Sequence, residues 1–132
     1  MGMPAAKQGD KIVGVDIHII MIPTPPVGQT TPTPLPHPFN GSIDGNLSSN
    51  VKIMGKPAAT VDSTATNTPS HVPQGGSFQK PPSNKATIKM GSPTVKINGK
   101  MAARNGDMAM TCNDPSDLPV GTVIATGTVN IG

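Results

Sequence analysis

The sequence predicts a mainly β domain in which three short hairpins surround an axis and are joined by proline-rich loops. A repeat is the first sign. "VKIMGKPAATVD", starting at Val51, and "VKINGKMAARNGD", starting at Val95, agree at seven of nine aligned positions: Val51, Lys52, Ile53, Gly55, Lys56, Ala58 and Ala59 meet Val95, Lys96, Ile97, Gly99, Lys100, Ala102 and Ala103. "MPAAKQGD", from Met3, matches the second half of that unit. The acidic residues are the second sign: all seven are Asp, and few stretches carry an apolar stripe at helical spacing, so helix content should be low. Third, Val and Ile fall in short blocks between turn residues, a strand pattern that disordered chains lack.

Taken in order, the elements follow from local pattern. From Lys11 to Met21 the chain alternates at period two, with Val13, Val15, Ile17, Ile19 and Met21 on one face and Gly14, Asp16, His18 and Ile20 on the other, which is a strand. "PTPPVGQTTPTPLPHPF" cannot be a central strand, because proline has no N–H for a ladder; it reads as a linker or a rigid extended loop. Each repeat unit reads as strand, Gly-containing turn, and strand entered through Ala-Ala, with Asn98-Gly99 the strongest hairpin signal. The opening copy has no strand before it, and the tail "VGTVIATGTVNIG" reads as two short strands turning near Thr126-Gly127. Equivalent alanines at 5, 58 and 102 are unequally spaced, which suits hairpins around an axis rather than a solenoid.

Composition limits the function classes. The 132 residues, taken as a single domain, include no Trp or Tyr and only Phe39 and Phe78, so the rings that usually dominate buried area are missing. Another stabiliser is needed. It is not a disulfide, since Cys112 is alone. The net charge of +3 comes from scattered lysines and one arginine, Arg104, without stacking aromatics, which sets nucleic acid aside. There is no signal-peptide core, and "IHIIMIP" is too short to span a bilayer, so the expectation is synthesis in the cytoplasm without a leader.

Three histidines, His18, His37 and His71, and Cys112 are the full set of soft ligands. Together they would close a tetrahedral zinc site with no position left for substrate. Their spacing matches no local zinc-binding signature, and each taken singly reads better as a strand, loop or small buried residue. Proline on both sides of His37 and near His71 stiffens the backbone of both. A structural zinc contributes about 10–16 kcal/mol in small peptides, enough to stand in for an aromatic core. The competing reading is a small metal-dependent hydrolase, with three histidines and a water on zinc and Asp16 or Asp114 as base; no motif singles out either aspartate.

At "PAAK", "PAAT" and "MAAR" the chain resembles the proline-alanine-alanine-arginine (PAAR) repeat family, spike-tip proteins of contractile injection machines. The resemblance takes in the three Ala-Ala copies, "PTPLPHPF", "KINGKMAARNGD" and the single Cys beyond it. It implies a small pseudo-threefold β cone whose point is stapled by one structural zinc on His18, His37, His71 and Cys112. It also implies a non-enzymatic cap on a trimeric VgrG-like β-helical spike and transient contact with a target membrane; many relatives carry toxin domains after the cone, and with this chain ending at Gly132 the expectation is effector cargo carried on another protein or inside the tube. The machine is type VI secretion, an extracellular contractile particle or a phage-like tail, with the protein delivered outside or into a target cell. Lys7 and Thr60 replace the motif's arginine, Met101 replaces its proline, and Asn67 stands where the pattern often has His. "TGTVNIG" is the candidate for the spike-facing base.

Overall fold

Both copies of the repeat carry a two-residue turn that needs positive φ at its two central residues. Met54 and Gly55 sit at 52° and 81°, and Asn98 and Gly99 at 54° and 81°. The computed structural model describes residues 2–132 as strands joined by turns, with no helix among them. The strands are β1 (Met3–Pro4), β2 (Lys11–Thr24), β3 (Gln29–Gly45), β4 (Lys52–Ile53), β5 (Lys56–Pro57), β6 (Thr64–Asn67), β7 (Ser77–Phe78), β8 (Lys85–Ile88), β9 (Lys96–Ile97), β10 (Lys100–Met101), β11 (Met108–Thr111), β12 (Leu118–Ile124) and β13 (Asn130–Ile131).

Three equivalent units run hairpin, Ala-Ala, outgoing strand, loop, returning strand. β4 and β5 form one hairpin and β9 and β10 a second. The third is split: β13 pairs with β1, setting Ile131 opposite Met3 and Asn130 opposite Pro4 in the register of the other two. The amide of Ala5 donates to Val129 O at 2.9 Å, as Ala58 does to Val51 O and Ala102 to Val95 O at 3.0 Å. The opening copy therefore has its missing strand, supplied by "VNI" at 129–131. The expected turn of the tail upon itself does not form, because β13 leaves β12 to join β1.

At the centre the three motifs hydrogen-bond in a ring. Ala6 N donates to Ala103 O, Ala103 N to Ala59 O and Ala59 N to Ala6 O, at 2.9, 3.0 and 3.0 Å. Flanking bridges repeat the cycle: Ala5 with Arg104, Lys7 with Ala58, Thr60 with Ala102. The central alanines have no exposed surface, and a larger side chain at any of them would meet the other two motifs across the axis.

Beyond the ring, strands in the order β12-β11-β8-β6-β3-β2 close through a β12–β2 pairing into a six-stranded barrel. Closure removes the free edges a small open sheet would expose. Ile43, Ile88 and Val123 lie opposite Ala65, Ala109 and Ile12 on their neighbouring strands and, with Phe39, fill the interior. Gly121 makes room: a Cβ there would lie 2.7 Å from Thr111 Cγ2 and 3.0 Å from Ile12 Cγ2. On the opposite side of the ring, Ile53 and Ile97, with Val51, Val95 and Ile131 partly buried beside them, gather around Ala5, Ala58 and Ala102.

The proline-rich segment is a strand. β3 pairs with β2 throughout, from Lys11 opposite Ser42 to Thr24 opposite Gln29. Its prolines, 32, 34, 36 and 38, all have the same parity, so each turns its N–H-less edge away from β2 while Thr31, Thr33, Leu35 and His37 face it with their amides. β6 pairs only with Gly41–Gly45, so the proline stretch is an edge, where proline is tolerated. Past the stretch paired with β6, β2 and β3 continue together as a hairpin, with short β7 beside β2.

Candidate metal centre

β2 buries the face that is less apolar. Ile12, Asp16, His18 and Ile20 turn inward, whereas Val15, on the other face, is 54% exposed. Three neighbouring strands and loops enclose Asp16 and His18, so polar groups are buried here and must be partnered. His37 comes from β3, which the pairing sets opposite Asp16. His71 comes from the loop between β6 and β7, and Cys112 immediately follows β11. All three units thus contribute.

The three imidazoles form a near-equilateral cluster, with centroids 5.3 Å apart for His18–His37, 5.0 Å for His18–His71 and 5.3 Å for His37–His71. Sγ of Cys112 lies 3.6 Å from His18 Nε2. Phe78 packs on the cluster at 5.8 Å from His18 and 5.7 Å from His37. Phe39 supports His71 at 6.2 Å.

One donor atom each from Asp16, His18, His71 and Cys112 lies within 4.8 Å of the others. Asp16 is thus at the heart of the cluster, and His37 stands beside this foursome. The Asp16 carboxylate accepts from the Thr111 hydroxyl, from Asn113 Nδ2 at 3.5 Å and from His71 Nε2 at 2.8 Å, and lies 3.4 Å from Cys112 Sγ. It stands two residues from His18, on the same strand face; the alternation of β2 carried this placement.

Local frames hold each candidate ligand. Nδ1 of His37 meets Leu35 O at 2.9 Å, leaving Nε2 buried with no hydrogen-bond partner among the described residues. The amide of His71 donates to Asn84 Oδ1 at 2.8 Å, and Asn67 Nδ2 reaches His71 Nδ1 at 3.2 Å. Asn67, where the related pattern often has His, therefore contacts His71 directly, and its amide also donates to Pro69 O and Asn84 Oδ1, at 3.1 Å each. Asn113 and Asp114 tie the Cys112 loop to β2: Ile17 N donates to Asn113 Oδ1 at 2.7 Å and Ile19 N to Asp114 Oδ2 at 2.8 Å.

Burial acts against charge on two members of the cluster, Cys112 and His18. Burial pushes the Cys112 thiol up to about 11, and the Asp16 charge adds to it. Burial lowers His18 below its ordinary range, against the pull of Asp114. No lysine or arginine pairs with Asp16 among the described residues. A soft, buried donor set of His and Cys, an orphaned His37 Nε2 and an uncompensated carboxylate suit a divalent metal ion.

Among protein-family models, the one described as PAAR motif matches residues 23–112. That span contains His37, His71, Cys112 and the second and third Ala-Ala copies, and it begins after Asp16 and His18. No curated protein matches the chain.

Proposed function

This chain belongs to the PAAR-motif family, and from that premise we propose that it caps a trimeric VgrG-like spike and sharpens it for membrane puncture. The family's place is the spike tip of contractile injection systems, a mechanical role. The observation that carries the capping step is the closed ring through Ala6, Ala59 and Ala103, which gives one chain threefold symmetry. A threefold spike end needs a partner with that symmetry, and three hairpins surround an apolar cluster on the ring side away from the histidines. Residues 1–132 act as one tip domain, and effector cargo and target membrane are its further contacts. No helix of the described residues is long and apolar enough to cross a membrane.

The far end is stapled by one zinc held by His18, His37, His71 and Cys112, with the Asp16 carboxylate among them. Bound there, zinc supplies cross-linking rather than Lewis-acid chemistry. Two ligands come from the first unit and one from each of the others, so the ion ties all three together where the barrel has ended. The hydrolase reading has little support, since Asp16 is fully buried and engaged by Thr111, Asn113 and His71 rather than free to act as base.

Native mass spectrometry with a trimeric spike protein tests the capping, with one tip per three spike chains expected. Binding of three tips, or none, would sink it. Zinc analysis tests the staple: one zinc per chain in wild type, and loss on Cys112→Ser. Wild-type protein purified without metal and unable to take up zinc would remove it.

A further inference from the structure

We propose that Asp114 is the positioning residue of this metal centre: its carboxylate holds the Nδ1–H tautomer of His18 and so leaves Nε2 free to ligate. The inference rests on the zinc reading above. His18 is fully buried, and its two ring nitrogens meet different neighbours. Nε2 faces the shared donors, with Cys112 Sγ at 3.6 Å and Asp16 Oδ2 at 3.9 Å. Nδ1 has no hydrogen-bond partner among the described residues, and the carboxylate that faces it is Oδ1 of Asp114, at 3.7 Å.

A neutral imidazole offers a metal only the nitrogen without the proton, so the other nitrogen must carry it. A buried N–H lacking an acceptor is destabilising, because it has lost its hydrogen bond to water and gained none in return. Metal-bound histidines therefore almost always direct their second N–H to a carboxylate, carbonyl or water. Asp114 is fastened where it can do this. Its amide donates to Ile17 O at 2.8 Å and its Oδ2 accepts from Ile19 N at 2.8 Å, so it straddles His18 along the strand edge away from β3. Oδ2 is committed to the backbone, and Oδ1 is left for the imidazole. Three consecutive residues thus divide the work: Cys112 ligates, Asn113 anchors to Ile17, and Asp114 sets the tautomer of His18.

Two substitutions separate this role from simple support. Asp114→Asn can keep the Ile19 bond through its amide oxygen, but its NH2 then faces Nδ1 and can only donate. That drives the imidazole proton to Nε2, where the metal should bind. Asp114→Ala loses the Ile19 bond and opposes neither tautomer. Zinc affinity of the full chain, measured by competition with a chromophoric chelator, should fall about 10–100-fold for Asp114→Asn and less for Asp114→Ala. Melting temperatures of the chelator-stripped proteins should rank the other way, with Asp114→Ala the lower. An Asp114→Asn protein whose affinity stays within about threefold of wild type, or an Asp114→Ala protein that binds more weakly than Asp114→Asn, overturns the role of Asp114 alone. Wild type that binds no zinc overturns the metal reading itself, and this inference with it.

Discussion

The fourth position of the motif is filled by Lys7, Arg104 and Thr60, and in each copy the residue three places on answers it. Lys7 N donates to Asp10 and Arg104 N to Asp107, at 3.0 and 2.7 Å, with each cation folded back on the same carboxylate. Thr60 N donates instead to Ser63 Oγ at 2.9 Å. The second copy has exchanged both members of a charged pair for neutral ones, so the departures from the motif keep the turn. Charged hydrogen bonds contribute about 1.5–3 kcal/mol against about 1 for neutral ones. Asp107→Ala should therefore cost about 2–3 kcal/mol and Ser63→Ala about 1, read from urea midpoints; the opposite order would show that charge does not hold this turn. Cys112 gives a second prediction. Its buried thiol keeps its proton to about 11, so zinc must displace that proton near neutral pH. Apparent zinc affinity should rise about tenfold per pH unit from this group, and calorimetry in buffers of different ionisation enthalpy should detect the released proton. No proton release would mean that the thiol does not ligate. In metal-stripped protein the same raised value favours the folded state only while the thiol is protonated, so stability should hold below about pH 9 and decline from there toward 11.

The two intact hairpins differ at one turn position, Met54 against Asn98, and both residues have the left-handed φ that Asn tolerates and Met does not. Met54→Asn rewrites the first copy as the second. It should raise stability by roughly 0.5–1 kcal/mol, seen as a melting temperature a few degrees higher; a fall would show that contacts of the half-exposed Met54 side chain outweigh its backbone strain. The hairpins were legible in the sequence because a two-residue turn is specified by adjacent residues. β2 was legible for the same reason, as alternation is local. Its buried face was not, since the apolar side chains Val13, Val15, Ile17, Ile19 and Met21 suggest a core that the barrel does not build there. Asp16 and His18 turn inward toward His37, His71 and Cys112, residues distant in sequence that cannot be seen from the strand itself. β3 was hidden by its prolines: reading them as breakers is right for a strand paired on both edges, and only their common parity, 32, 34, 36 and 38, shows that one edge stays intact. The four candidate ligands can be counted in the sequence, whereas the contacts of Asp16 and Asp114 with them lie between units and cannot.

For the whole molecule, the decisive feature is that the threefold ring closes through residues far apart in sequence. Two of the three hairpins are continuous, but the third joins Met3–Pro4 to Asn130–Ile131. Val129 O accepts from Ala5 N, and the Ser92 hydroxyl donates to the Gly132 carbonyl, so the last residues also reach the third unit's entrance. A cone loaded along its axis shares force among three units only if all three hairpins are whole. Deleting residues 129–132 should open one of them. The Ala5 amide then loses its acceptor, Ile131 leaves the apolar cluster beside Ala5, Ala58 and Ala102, and the free edge of β1 is exposed. Together these losses should cost on the order of 2–4 kcal/mol, one backbone bond pair and one partly buried Ile, and lower the melting temperature by about 10 °C. The histidine end lies on the other side of the ring, so the truncated chain should still bind one zinc while losing affinity for a trimeric spike. Measuring both on the same preparation separates the two ends: retained zinc with lost spike binding is the expected pair. Loss of zinc with the deletion would show that the ring couples the ends so tightly that neither forms alone, and unchanged spike binding would move the docking surface away from the hairpins.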